Sequence, residues 1–336
     1  MKNRRQITTG TMAAIAFLLL ILDGQTAFQG ALEGMELCIR TVIPSLFPFF
    51  ILSMLLASSL TGKNLNLLRP LGKLLRIPSG SEGIFLIGLL GGYPTGAQSI
   101  AIAHKNGQLS TRDAQRMMGF CSNAGPAFIF GMIGPMFSSQ LIPWILWIIH
   151  IASALLTGIL LPGRSADSAA ISPSQEIRIQ TALERSIHTM ANVCGWIVLF
   201  RVVLSFLNRW LFFLLPSTVQ ILLAGVLELS NGCVLLKDIQ DEGLRLLICS
   251  GFLGFGGLCV LMQTDLVAET TGIGMYLPGK ISQTVISLIL SFIVINTGSA
   301  KYLSSFPWVI LVSISILLFL FIFRRINSGN SILNDV

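Results

Sequence analysis

GIFLIGLLGGYPTGAQSIAIAHK, residues 83–105, is the stretch whose reading decides the fold. Its flanks are apolar enough to enter a bilayer. Its middle, Gly91, Gly92, Tyr93, Pro94, Thr95 and Gly96, is poor material for a continuous helix, because proline lacks a backbone donor and glycine favours turns. Backbone groups in hydrocarbon must be satisfied internally, so such a break is tolerated only where protein, water or a ligand takes up the freed N–H and C=O groups. The stretch therefore reads as a re-entrant helical hairpin that starts and ends on one side. His104, Lys105, Arg112 and Arg116 follow it, which makes that side cytoplasmic by the positive-inside rule.

The rest of the chain supplies a membrane setting for this hairpin. Of 336 residues, 53% are hydrophobic and 11% charged, against about a quarter charged in a soluble domain. Residues 144–161, 281–295 and 306–323 approach or reach the ~20 apolar residues needed to cross ~30 Å of hydrocarbon. These runs lack period-two alternation, which argues against a β-barrel. The net charge of +7 comes from Lys and Arg beside apolar segments, without the aromatic interleaving of a nucleic-acid surface, so it reads as topology signal. Cys38, Cys121, Cys194, Cys233, Cys249 and Cys259 form no Cys-x-x-Cys pair and have no histidine at ligand spacing, so neither a disulfide nor a metal site is expected. Lys2, Arg4 and Arg5 ahead of residues 12–22 have the pattern of a signal peptide, but further spans follow, which favours an uncleaved first span over 10–22. Both termini are then cytoplasmic. Residues 23–40 read as an interfacial helix leading into a span over 44–60, and residues 265–280 as an amphipathic connection.

The hairpin has counterparts. A span over 111–134 is interrupted by Cys121, Ser122, Asn123, Ala124, Gly125 and Pro126. A second short apolar segment, 219–236, is broken by Glu228, Leu229, Ser230, Asn231 and Gly232, and a span over 244–262 is glycine-rich at 250–257. Ala31-Leu32-Glu33 and Ala182-Leu183-Glu184 open the two halves, and Arg116, Cys121 and Ser122 align with Arg245, Cys249 and Ser250 after a one-residue shift. Each half crosses three times, an odd number, so the second copy is inverted, as in many secondary transporters. The expected fold is an all-α polytopic membrane protein of two inverted repeats, each with a re-entrant hairpin and a broken transmembrane helix. Residues 1–29 form an N-terminal transmembrane helix and connector, 30–162 the first repeat with hairpin 83–105, 163–298 the second with hairpin 217–239, and 299–336 a C-terminal transmembrane helix and tail.

Four motifs carry a resemblance: Pro44-Ser-Leu-Phe-Pro-Phe-Phe50, Gly92-Tyr-Pro-Thr-Gly-Ala97, Phe120-Cys-Ser-Asn-Ala-Gly-Pro126 and Glu228-Leu-Ser-Asn-Gly232. The chain resembles bacterial membrane proteins with the nucleoside-recognition, or Gate, domain, in particular the sporulation integral membrane proteins, relatives of the concentrative nucleoside transporters. The resemblance implies a small-molecule substrate held between two hairpin tips and two unwound helices. On this chain those are Gly92, Tyr93, Pro94, Thr95 and Gly96 at the first tip, and Glu228, Ser230, Asn231 and Gly232 at the second. The unwound positions are Ser122 and Asn123 in one helix and Ser250 and Gly251 in the other. Serine is common in the family where Gly92 and Gly125 stand here. The resemblance further implies dipicolinate transport into the developing spore across its outer membrane, coupling to H+ or Na+, and a homo-oligomer. A nucleoside substrate, or a sporulation membrane protein that binds a ligand or partner without moving solute, stays open.

The candidate residues also have plainer readings. Glu228 is the one acid deep in an apolar segment, where a charge costs several kcal/mol or is avoided by protonation. It is a coupling or substrate carboxylate, or a hydrogen-bonding partner for the broken helix. Asn123 and Asn231 donate to substrate or cap helix ends. The glycines read chiefly as packing positions, and Arg116 and Arg245 as interfacial anchors. His104, His150 and His188 show no ligand spacing. No nucleophile motif, phosphate loop or carboxylate pair points to an enzyme, and no cofactor is expected.

Overall fold

The computed structural model describes residues 2–60, 68–163, 177–268 and 271–297, and among these every regular element is helical. The expected C-terminal span over 306–323, the basic residues that follow it, and the topology signals Lys63 and Arg164 lie outside the described residues. The first half consists of α1 (Lys2–Leu22), α2 (Gly24–Leu37), α3 (Ile43–Leu60), α4 (Arg69–Leu75), α5 (Glu82–Leu90), α6 (Thr95–Lys105), α7 (Thr111–Cys121) and α8 (Ile142–Leu160). The second consists of α9 (Ile179–Trp210), α10 (Ser217–Leu227), α11 (Leu229–Leu235), α12 (Glu242–Phe255), α13 (Gly257–Val267) and α14 (Tyr276–Asn296). Several starts are set by side-chain caps: Asp23 accepts from Thr26 N–H at 3.3 Å, Ser110 from Asp113 N–H at 3.1 Å and Asp241 from Leu244 N–H at 2.6 Å.

Among the described residues, five helices are long and apolar enough to cross a membrane: Gly24–Leu56, Ile142–Leu160, Ile179–Trp210, Glu242–Val267 and Tyr276–Asn296. α1 covers the expected first span, with the apolar residues 12–22 behind Lys2, Arg4 and Arg5. The interfacial helix expected over 23–40 is corrected. α2 continues into α3 through a π-helical turn, Cys38–Val42, so the chain makes one long rod there. The partner of that rod explains why. α2 runs antiparallel to α9, which at 32 residues is about 48 Å long, and small residues let the two backbones close. A Cβ on Gly30 would lie 3.0 Å from Val202 Cα, and one on Gly34 2.9 Å from Val198 Cα. Glu33 pairs with Arg201 at 2.5 Å and Asp23 with Arg209 at 2.8 Å, fixing the register.

The interruptions fall close to where the sequence places them. α5 and α6 pack on each other across Gly91–Pro94, and α10 and α11 across Glu228. The helix after α7 resumes as a π-helical segment, Ala127–Ile133, beyond a non-helical stretch at 122–125. The second long interruption falls at the end of the glycine-rich stretch 250–257 and not at Ser250 and Gly251, the unwound positions that the resemblance implies. α12 runs helically through Ser250 and Gly251 and ends at Gly256, where Gly256 and Gly257 both take φ +84°. Only glycine adopts two such residues in succession without strain, so the break is a kink of two glycines and not an unwound loop. Element order is therefore parallel in the two halves: long helix, helix pair, interrupted helix, intact helix.

α14 packs against α7, α8 and α12. Buried side chains of α8, α11, α12 and the 127–133 segment form one apolar core, and those of α5, α6, α7 and α8 form another. Outward, Ile281, Val285, Ile289 and Phe292 on α14 are exposed at near-helical spacing, the face a lipid-contacting helix presents.

Candidate functional site

The helix interruptions border a cavity of about 40 Å³, room for a few water molecules. Gly91, Gly92 and Tyr93 reach it from the first helix pair, and Glu228, Leu229 and Ser230 from the second. Ala124 and Gly125 line it from the interrupted helix, Phe50 from α3, Ile197 from α9, and Val260 and Gln263 from α13. Its wall is mostly apolar with few polar groups, the usual make-up of a ligand pocket.

The first tip is pressed onto the α7 break by glycines. A Cβ on Gly88 or on Gly96 would overlap the carbonyl oxygen of Cys121. Gly92 and Gly125 face each other so closely that a Cβ on either would come within 2.9 Å of the other's backbone nitrogen, and Gly92 sits at φ +75°. Close approach of two backbones is thus the physical reason for glycine at both positions. Thr95 is buried and its hydroxyl donates back to Gly91 O at 3.4 Å, and Pro94 caps α6 after a cis peptide bond.

Breaking a helix leaves carbonyls and N–H groups without intrahelical partners, and at the α7 break two scaffold side chains, Lys280 and His150, each take one, with Gln283 bracing the Asn123 amide that takes another. The ammonium of Lys280, from α14, donates to Ser122 O, to Gln283 Oε1 at 2.8 Å and to the Tyr93 hydroxyl at 3.2 Å. His150 Nε2, from α8, accepts from Ala124 N–H at 3.1 Å. Asn123 donates to Phe120 O at 2.8 Å and accepts from Gln283 Nε2 at 2.9 Å, so its amide is spent on the break and does not line the cavity. Lys280 is fully buried and its ammonium also lies 5.2 Å from the Tyr93 ring centroid and 5.8 Å from that of Tyr276.

The second tip holds itself. Glu228 is buried, caps α11 and accepts from Ser230 N–H at 3.0 Å, Asn231 N–H at 2.7 Å and Asn231 Nδ2 at 2.8 Å. Three donors to one carboxylate are strong, charge-assisted bonds. Gly232 packs onto the Gly225 backbone, and Gly225 onto the Phe252 ring.

With this geometry in view, one relative bears on the chain. The chain is similar to the sporulation integral membrane protein YlbJ of Bacillus subtilis (strain 168). Identity with YlbJ is 27% over 329 residues, covering 81% of this chain and 78% of YlbJ. No protein-family model matches the chain, and no solved structure does. Likeness to YlbJ along most of both chains, together with five membrane-length apolar helices, makes this a multi-pass membrane protein.

Of the residues expected at the site, Gly92, Tyr93, Glu228 and Ser230 reach the cavity. Pro94, Ser122 and Asn123 lie in the breaks without lining it, and Thr95, Gly96, Asn231 and Gly232 lie in the first turns of α6 and α11 that follow the breaks. Ser250 and Gly251 do not join them. Ser250 donates to Leu247 O at 2.8 Å inside α12, and Gly251 packs on Leu288. Arg116 and Arg245 are not snorkelling anchors. Buried Arg116 donates to Gly158 O at 2.6 Å and Arg76 O at 3.3 Å, and Arg245 donates to Ile239 O at 2.5 Å and to Met136 O, so both clamp orphaned carbonyls. Sequence reasoning missed Gln263, His150, Lys280 and Gln283. The signal was present for two of them. Lys280, Gln283, Ser287 and Ser291 recur at helical spacing on an otherwise apolar span, and starting that span at 281 had left Lys280 in a loop.

Proposed function

We propose that the protein is a secondary transporter that moves a small polar or anionic metabolite across the membrane, with dipicolinate entering the developing spore as the leading substrate. The observation that carries this reading is the shared cavity: two helix-pair tips from opposite halves of the chain, and the break between them, converge on one space. Interrupted helices facing a common centre are how transporters place exposed backbone near the bilayer midplane. In this reading the halves are inverted repeats, the helix pairs are re-entrant hairpins, and the fold is that of the Gate-domain proteins.

The cavity is small, so the reading takes it as an occluded arrangement that must widen when a metabolite binds. Substrate contacts then come from the Tyr93 ring and hydroxyl, the Ser230 hydroxyl, Gln263 and the backbone of Gly92 and Gly125. Dipicolinate is favoured over a nucleoside by the likeness to YlbJ, named as a sporulation membrane protein, and by the buried positive charge of Lys280 behind Tyr93. The outer membrane of the forespore is the corresponding location.

Uptake of labelled dipicolinate and, separately, uridine by the purified protein in liposomes tests this. Saturable dipicolinate uptake that runs uphill under a proton or sodium gradient is the expected result. Uridine uptake alone assigns a nucleoside, uptake that neither saturates nor concentrates indicates a channel, and no uptake of either removes the transport reading.

A further inference from the structure

We propose that Lys280 is the proton-binding latch of the first hairpin: protonated, it ties the Tyr93 tip to the α7 break and α14, and losing its proton frees the tip. The link to transport rests on the function proposed above, whereas the latch stands on the geometry alone.

Lys280 is fully buried, and among the described residues it takes part in no ion pair. Its three acceptors are neutral oxygens from three elements: the Tyr93 hydroxyl on the hairpin, the Ser122 carbonyl at the end of α7, and Gln283 on α14. An ammonium has three donors and all three are used. The neutral amine has two, so one contact must change. The longest, to Tyr93, is the one that crosses to the hairpin. Tyr93 then either loses Lys280 or turns its own proton toward the amine and gives up Leu253 O, to which it donates at 3.4 Å. In both cases the tip has one tie fewer.

The surroundings leave Lys280 as the group that can exchange this proton. The ionisable side chains facing it are Tyr93 from the hairpin, Cys121 from α7, His150 from α8 and Tyr276 from its own helix. His150 Nε2 is committed to Ala124. On α12, Glu242 bonds Ser138, Arg245 clamps carbonyls and Cys249 lies against Cys233. Arg116 on α7 is held by Gly158 O, and Asp113 bonds Ser110 at the far end of α7. Glu228 is taken by its own cap.

A route for the proton continues along the same face of α14. Gln283, Ser287 and Ser291 are all buried, and the hydroxyls of Ser287 and Ser291 have no protein partner. Four residues of helix rise roughly 6 Å, a gap that one bridging water spans with two ordinary hydrogen bonds. From Lys280 to Ser287 is seven residues, roughly 10 Å of rise, with Gln283 between them, so Lys280, Gln283 and the two serines mark one polar line from the site toward the end of α14.

Hydrogen–deuterium exchange of the full-length protein in liposomes, across a pH series and corrected for intrinsic rates, reads the latch directly. In the wild type, tip amides around 91–97 are expected to lose about tenfold in protection in a single step as pH rises. Lys280→Arg should hold the tip protected throughout. Lys280→Gln should leave it unprotected throughout, and Tyr93→Phe, which keeps the ring and removes the accepting oxygen, should abolish the step with Lys280 still present. No step in the wild type, or a step that survives in Lys280→Gln or Tyr93→Phe, overturns the latch. Dipicolinate uptake in the same liposomes should respond to a proton gradient in the wild type and not in Lys280→Arg; a response to sodium alone overturns the coupling role. If the exchange step is present but neither dipicolinate nor uridine enters, the latch stands and the transport reading falls.

Discussion

The two helix pairs solve one problem in opposite ways. The second tip satisfies its break from within, because Glu228 caps the helix that follows it and binds Asn231 as well. The first tip and the α7 break beneath it contain no charged group and are held from outside, by Lys280, Gln283 and His150 on two scaffold helices. A self-capped tip keeps its shape wherever it goes, whereas a tip tied to other helices keeps its place only while those ties hold. On the latch proposed above, the first helix pair is the element whose position one proton switches, and the second is its self-capped counterpart across the cavity.

The comparison breaks most visibly at the glycines. At residue 88 a side chain would overlap a backbone carbonyl, which cannot move away, while at residue 225 it would meet the ring of Phe252, which can turn. Gly88→Ala should cost about 3 kcal/mol or more of stability and Gly225→Ala about half as much, read as the fall in melting temperature of the purified protein. Equal costs would mean that the two pairs are packed alike. Next in size, Glu228→Ala leaves two buried N–H groups without an acceptor and should cost about 2 kcal/mol, with Glu228→Gln nearer 1 kcal/mol because an amide oxygen still caps α11. An unchanged melting temperature in Glu228→Ala would show that the second tip is held by something other than its own cap. The smallest effect separates helix interior from break. Ser250→Ala should change stability by less than about 0.5 kcal/mol and leave uptake at wild-type rates, and a strong loss of uptake would return Ser250 to the site.

Much of this arrangement was legible in the residues. Gly-Gly-Tyr-Pro and Cys-Ser-Asn-Ala-Gly-Pro cannot continue a helix, so the first hairpin and the α7 break follow from local chemistry. The long α2–α3 rod did not show, because Glu33, Glu36 and Arg40 look like surface residues until Arg201 on a distant helix is seen to pair with Glu33 and Arg40 with Glu36. The second interruption falls beyond Ser250 and Gly251 for a related reason. Ser250 and Gly251 are weak helix formers, yet packing on α14 keeps them helical, and the kink falls on two glycines whose positive φ is a tertiary fact. Lys280 was hidden by its own type: a lysine at the edge of an apolar run reads as an interfacial anchor, and only its three partners, two of them more than 150 residues away in sequence, reveal a buried one.

The central claim is that both tips bound a single substrate cavity, and filling that cavity tests it most directly. Ser230→Phe places a ring in the space between the tips without touching the Lys280 ties or the backbone N–H groups that Glu228 accepts from. Labelled dipicolinate uptake into liposomes should be saturable for the wild type and lost in Ser230→Phe with the melting temperature preserved. Uptake that continues at the wild-type rate with the cavity filled would contradict the account.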